Sequence, residues 1–249
     1  MGAMAYLVRV GSIWGDILKQ IHLSSFQQKT GTSPDEFKNF LDRLENWRTE
    51  LPPGLKYSNE NLAGQIEVGT TGAFVVMHVM WHTAMFYVYR YVRTVGGAKE
   101  YIEKNIPKQA VVESIRKAFV HADAVLQIMF HVRQRRDLAK ANNGKLVTVN
   151  APFLGQAIFD ACNIAAIRAR EVGDVESAMQ QKSRIRVGVQ WLKELKRWWK
   201  PIQGLYRKLN TIYLNLDRNP AGGVPTPESF TDTVLQPGSN YSEIGRAHV

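Results

Sequence analysis

The sequence predicts an all-α protein, an irregular multi-helix domain over residues 1–216 followed by a polar tail. Three observations carry that prediction. Apolar residues recur at helical spacing through most of residues 4–216. Prolines fall at the edges of these stretches, at Pro34, Pro52, Pro53, Pro152 and Pro201. No pair of alternating strand patterns and no fixed-period repeat is present.

Residues 4–23 set Leu7, Val10, Ile13, Trp14, Ile17, Leu18 and Ile21 on one side of a first helix. In the second, residues 33–50, Ser33 suits the cap and Pro34 the first turn. Asp35 and Glu36 favour the positive end of the dipole. Phe37, Phe40, Leu41, Leu44 and Trp47 form its apolar face. Pro52 and Pro53 cannot continue it and Gly54 turns the chain, so residues 51–69 are expected to be a loop. Residues 70–95 make a central apolar helix stopped by Gly96-Gly97. Residues 108–139 make a long helix bearing Val111, Ile115, Phe119, Ala122, Leu126, Met129 and Phe130, and Asn142-Asn143-Gly144 is a turn. Pro152 opens a helix that runs to about Val172. Another spans 175–200 with Trp191, Leu192, Leu195 and Trp198 on its apolar stripe. Pro201 breaks it, and a last helix with Leu205, Tyr206, Leu209 and Ile212 reaches Leu216. From Asn219 the chain is rich in Pro, Gly, Ser and Thr, so residues 217–249 read as a disordered tail.

Composition narrows the class further. Of 249 residues, 45% are hydrophobic and 22% charged, ordinary for a globular protein. The single cysteine, Cys162, excludes an internal disulfide and any cysteine-based zinc site in this chain. Lying in an apolar run, it reads as a buried, inert thiol. A net charge of +10 permits nucleic acid, acidic proteins or anionic membranes as partners without choosing among them. Residues 1–23 lack the pattern of a secretory signal. Phe74 to Val92 is dense in apolar residues, but it carries His78, His82 and Arg90 and reads as a core helix, not a membrane span.

No residue is assigned to a catalytic, cofactor or metal site. His78 and His82 share a helix face, as two zinc ligands would, but Val79 stands where a metalloprotease places its Glu and no acidic third ligand is near. Core histidines are the expectation. His121 and His131 come with no serine elbow or Cys–His pairing. No Asp-Asp pair is present for magnesium, and Gly69 and Gly72 lack the Lys-Ser/Thr of a phosphate loop. Lys182 to Lys208 holds nine lysines and arginines against Glu194 alone, interleaved with tryptophans. It reads as a solvated helix face, with Trp191, Leu195 and Trp198 turned inward; the competing reading is a nucleic-acid surface. His131 to Arg136 reads equally as a helix surface or a nuclear-import patch.

Leu44, Trp47, Leu51, Pro52 and Leu55, in the run LENWRTELPPGL, resemble the middle homology domain of fungal zinc-cluster transcription factors. There a tryptophan helix ends in Leu-Pro before an extended linker. Three later segments are similar to that family in order. Met77 to Arg90, with His78, Trp81, His82 and Arg90, looks like its central helix. Pro152 to Ala166 looks like its proline-opened, alanine-rich helix, and Gly188 to Leu209 like its late helix pair. Residues 4–23 resemble the helix before the tryptophan segment.

The resemblance implies a fragment of a regulatory domain over residues 1–216, from a nuclear DNA-binding factor that controls RNA polymerase II transcription. It implies no enzyme, and no cofactor in this chain. Zinc and DNA contact would belong to a missing N-terminal cysteine-rich module. Coregulator proteins or a small-molecule effector would be partners, and a membrane would not. The alternative is a helical protein-binding scaffold outside transcription. The family's early aromatic and proline segment is absent, so the chain reads as beginning mid-domain. Helices 4–23 and 70–95 should then expose apolar surface and make the chain aggregation-prone. Residues 243–249, EIGRAHV, resemble on back-translation the start of a common sequencing-library adapter, which would make them a read-through artefact.

Overall fold

The computed structural model describes residues 2–27, 34–91, 107–142, 147–171 and 175–216. Among these it forms eight α-helices: α1 (Ala3–Gln27), α2 (Pro34–Thr49), α3 (Asn59–Glu67), α4 (Thr71–Tyr91), α5 (Lys108–Ala141), α6 (Pro152–Glu171), α7 (Val175–Leu195) and α8 (Ile202–Asn215). A short 3-10 turn, Pro53–Leu55, follows α2. No strand occurs among the described residues, so the class is all-α as the spacing predicts. The Ser33 cap, the Gly96-Gly97 stop, Asn143-Gly144, and the tail 217–249 with its residues 243–249 lie outside the described residues. So does the side chain of Phe37.

The chain divides into two compact units, Met1–Ala151 and Pro152–Val249. In the first, α4 packs against α1, α2, α3 and α5. It takes the middle because it is apolar on nearly every side. Phe74, Val75, Met77, Val79, Ala84, Met85, Phe86 and Val88 are all buried. The expected apolar exposure of helix 70–95 is therefore corrected over Phe74 to Val88. Helix α1 buries Val10, Ile13, Trp14 and Ile17 and leaves only part of its surface apolar, at Met4 and Val8. Trp14 meets the edge of Tyr87 with ring centroids 5.0 Å apart. In α5 the buried stripe is Ala118, Ala122, Val125, Met129 and Val132. Phe130, expected on the apolar side, sits one residue off that stripe and is exposed.

The expected loop over 51–69 is also corrected, since it contains the 3-10 turn and all of α3. Ser58 caps α3 by accepting from the Asn61 backbone N–H at 3.0 Å. Gly69, at φ 78°, ends it. The Thr70 N–H donates to the Gln65 carbonyl and the Gly69 N–H to the Ile66 carbonyl, which closes the helix with a left-handed glycine. Thus Gly69 serves a helix end.

The second unit is a three-helix arrangement in which α6, α7 and α8 each pack on the other two. Two glycines set its spacing. A Cβ at Gly155 would lie 2.5 Å from the Ile202 side chain, and one at Gly188 would lie 2.2 Å from Cys162 Sγ. Helix α7 ends at Leu195, five residues before the expected end at 200. Turns over Lys196–Trp198 replace its last turn. No helix among the described residues is long and apolar enough to cross a membrane.

Candidate functional site

The residues at the end of α2 and those of α4 meet through hydrogen bonds to main-chain carbonyls. Leu44 and Trp47 are buried, as the apolar face of their helix predicts, and Leu51 and Leu55 are buried with them. Trp47 Nε1 donates to the Tyr6 carbonyl at 2.9 Å, fastening α2 to α1. Trp81 Nε1 donates to the Leu44 carbonyl at 2.8 Å, and His78 Nε2 lies 2.9 Å from the Leu55 carbonyl. A carbonyl only accepts, so His78 carries its proton on Nε2. Burial holds its pKa down to about 4, against a smaller upward pull from that carbonyl. His78 is thus a neutral tether in the core.

His82, one turn on, faces a different partner. Its Nδ1 lies 3.0 Å from Nδ1 of His121 on α5. One ring donates and the other accepts, so the accepting ring must be neutral with a bare Nδ1. Burial holds both pKa values down, to about 4 for His121 and well below the usual range for His82. The neighbouring Arg48 charge acts in the same direction on both, and Lys117 on His121. Trp81 and Tyr89 enclose the pair, with ring centroids 5.3 and 5.8 Å from His121. Ser114 on α5 donates to the Tyr89 carbonyl at 2.6 Å and closes the seam.

A fourth histidine completes the cluster. Tyr57 stacks between Phe74 and His131, with centroids at 5.9 and 6.2 Å, and its hydroxyl lies 3.2 Å from His131 Nδ1. Burial pushes the Tyr57 phenol up, so it stays protonated. The cluster joins residues 57, 78, 82, 121 and 131. The i, i+4 spacing of His78 and His82 is visible in sequence, but the partners are not, because nothing local pairs residue 82 with residue 121. Neutral imidazoles closed in by aromatic rings hold a seam together. Among the described residues, no group of three His, Cys, Asp or Glu could hold a metal ion.

In the second unit Cys162 is fully buried and its thiol pushed up by burial, as expected of an inert residue. The tryptophans divide. Trp191 is 2% exposed and Leu195 is buried, but Trp198 is 71% exposed. The expectation that Trp198 shares the inward stripe is therefore corrected. That stripe requires the helix to continue, and α7 stops three residues earlier. Around Trp198 the chain carries Lys193, Lys196, Arg197 and Lys200. Lys196 Nζ sits 3.9 Å above the Tyr206 ring.

The chain is similar over most of its length to known proteins. The chain is 24% identical over 84% of its length to an uncharacterized transcriptional regulatory protein of Schizosaccharomyces pombe, covering 24% of that protein. It is 22% identical over 97% of its length to the Zn(2)-C6 fungal-type transcription factor FTF2 of Fusarium oxysporum f. sp. lycopersici, covering 22% of it. The factor FTF1a of the same organism is 24% identical over 97% of this chain, again 22% of its own length. The chain thus spans about a quarter of the length of the curated relatives it matches. No family model and no solved structure matches it. The homologues of this all-helical chain, over nearly all of its length, are fungal Zn(2)-C6 transcription factors and transcriptional regulatory proteins.

Proposed function

We propose that residues 1–216 are part of the regulatory region of a fungal transcription factor, followed by a tail over 217–249. The observation that carries this is similarity to several transcription factors over nearly the whole chain. The seam supports it: the two stretches that carry the resemblance, Leu44–Leu55 and His78–Trp81, bond to each other directly. In this reading the protein acts in the nucleus on RNA polymerase II transcription. This region turns over no substrate and modulates activity through coregulator proteins or a small-molecule effector.

Zinc does not fit the residues present. A six-cysteine cluster needs six thiolates, and Cys162 is alone, buried and protonated. Zinc and sequence-specific DNA contact would therefore belong to a module outside these 249 residues. A second reading, a helical protein-binding scaffold outside transcription, draws on the exposed Val112, Val120, Phe130 and Leu138 of α5.

The test is twofold. The complete gene is expected to encode a C-x-x-C-x6-C cluster, and a complete gene without one sinks the reading. Fused to a heterologous DNA-binding domain, residues 1–249 are expected to change reporter transcription. The fused DNA-binding domain alone sets the baseline.

A further inference from the structure

The joint between α7 and α8 holds an indole in water among unmatched cations. Trp198 is 71% exposed, where a buried tryptophan would remove about 150–250 Å² from solvent. Lys193 on α7, Arg197 and Lys200 in the joint and Arg207 on α8 are exposed and make no ion pair among the described residues. Glu194 is the one acid between residues 182 and 208. The first unit is different, because several of its surface arginines are matched: Arg43 with Asp16 at 2.6 Å, Arg116 with Glu113 at 2.7 Å, and Arg9 with Glu50. Positive charge at the joint is left for an outside anion.

The rings choose among anions. Trp191 is buried and Tyr206 is already covered by Lys196, so Trp198 is the most open ring, with Trp199 beside it 38% exposed. Beyond these two adjacent indoles no wider apolar patch is present: the other large exposed hydrophobics of this unit, Met179 and Leu214, lie away from the joint. A protein-binding hot spot buries its aromatic in an apolar centre depleted of lysine. A single-stranded polynucleotide asks for the opposite: a cationic track for phosphates and an open ring for a base.

We propose that the α7–α8 joint binds single-stranded DNA, with phosphates over Lys193, Arg197, Lys200 and Arg207 and one base stacked on Trp198. The choice of DNA over RNA rests on the function proposed above. The surface itself stands on burial and charge.

The test uses residues 1–249 and fluorescein-labelled dT20, followed by anisotropy and by indole fluorescence. Four phosphate contacts predict a log K against log salt slope of about −3. Trp198→Ala should weaken binding about 5- to 100-fold and remove most of the indole quenching, with the slope unchanged. Trp198→Phe, which keeps a ring, should recover most of the affinity. Arg197→Gln with Lys200→Gln should shift the slope by about 1.4 toward zero. Because Trp198 is exposed, both ring variants should melt like the parent. No binding at about 50 mM salt, or Trp198→Ala equal to the parent, overturns the proposal. So does duplex DNA binding as tightly without need of Trp198, or poly-glutamate displacing dT20 at equal charge concentration. Tighter binding of rU20 overturns the choice of DNA and with it this use of the transcription reading. Loss of dT20 binding alone leaves the gene-level test of that reading standing.

Discussion

His82 and His121 can bond only while one ring lends a proton and the other accepts it. Acid removes the acceptor. His78 and His121 have folded pKa values near 4, below the ordinary 6.5. Between those values the unfolded chain binds more protons than the folded one, so stability falls as pH drops from about 6.5 to 4. Buried His78 contributes up to about 3 kcal/mol of this, and His121, partly open to solvent, contributes less. Thermal melts should therefore show a falling Tm over that window. The double variant His82→Leu/His121→Leu should lose part of the acid sensitivity and keep the part due to His78. An unchanged slope would remove the pair from the account. Gly188 offers a second residue-scale test. Its missing Cβ would stand 2.2 Å from Cys162 Sγ, so Gly188→Ala should cost about 1–3 kcal/mol despite better helix propensity. Adding Cys162→Ala should restore most of it, and chemical unfolding of the two variants decides. At this scale sequence shows the candidates but not the pairings. Cys162 reads as buried, and the i, i+4 histidines read as core. That His82 answers to a residue 39 positions away depends on how α4 and α5 pack.

Helices with long apolar stripes are legible, and their ends are less so. Helices α1, α4, α5 and α6 lie close to the expected spans because their periodicity runs for many turns. Helix α3 escapes because it has nine residues and buries only Leu62. Its signal was capping chemistry: Ser58 before the helix and Gly69 after it. Ser58→Ala should cost about 1 kcal/mol, read as faster amide exchange confined to α3. Gly69→Ala should cost a similar amount, because φ 78° suits no other residue well. If neither variant changes exchange in α3, the caps do not hold it. The early end of α7 was hidden for the opposite reason. Apolar spacing continues through Trp198 while the backbone leaves the helix at Leu195 and turns over Lys196–Trp198.

Across the whole molecule, charge is distributed unevenly. The first unit neutralises several surface arginines with nearby carboxylates, while Lys193, Arg197, Lys200 and Arg207 of the second make no ion pair among the described residues. Raising salt from about 0.05 to 0.5 M should weaken the ion pairs of the first and relieve repulsion in the second. Hydrogen exchange should then report α7 and α8 gaining protection relative to α1 and α2, by up to about 1 kcal/mol. Equal shifts in both units would refute the uneven distribution as an energetic fact.

The bonds from Trp47, Trp81 and His78 all end on main-chain carbonyls, at residues 6, 44 and 55. Every amino acid supplies that oxygen. Substitution at positions 6, 44 or 55 therefore leaves the acceptors in place, provided the new side chain fills a similar volume. Three donors can keep α1, α2 and α4 in register while the apolar residues between them drift. A seam built this way tolerates sequence drift at its acceptor positions, because no substitution there removes the oxygen.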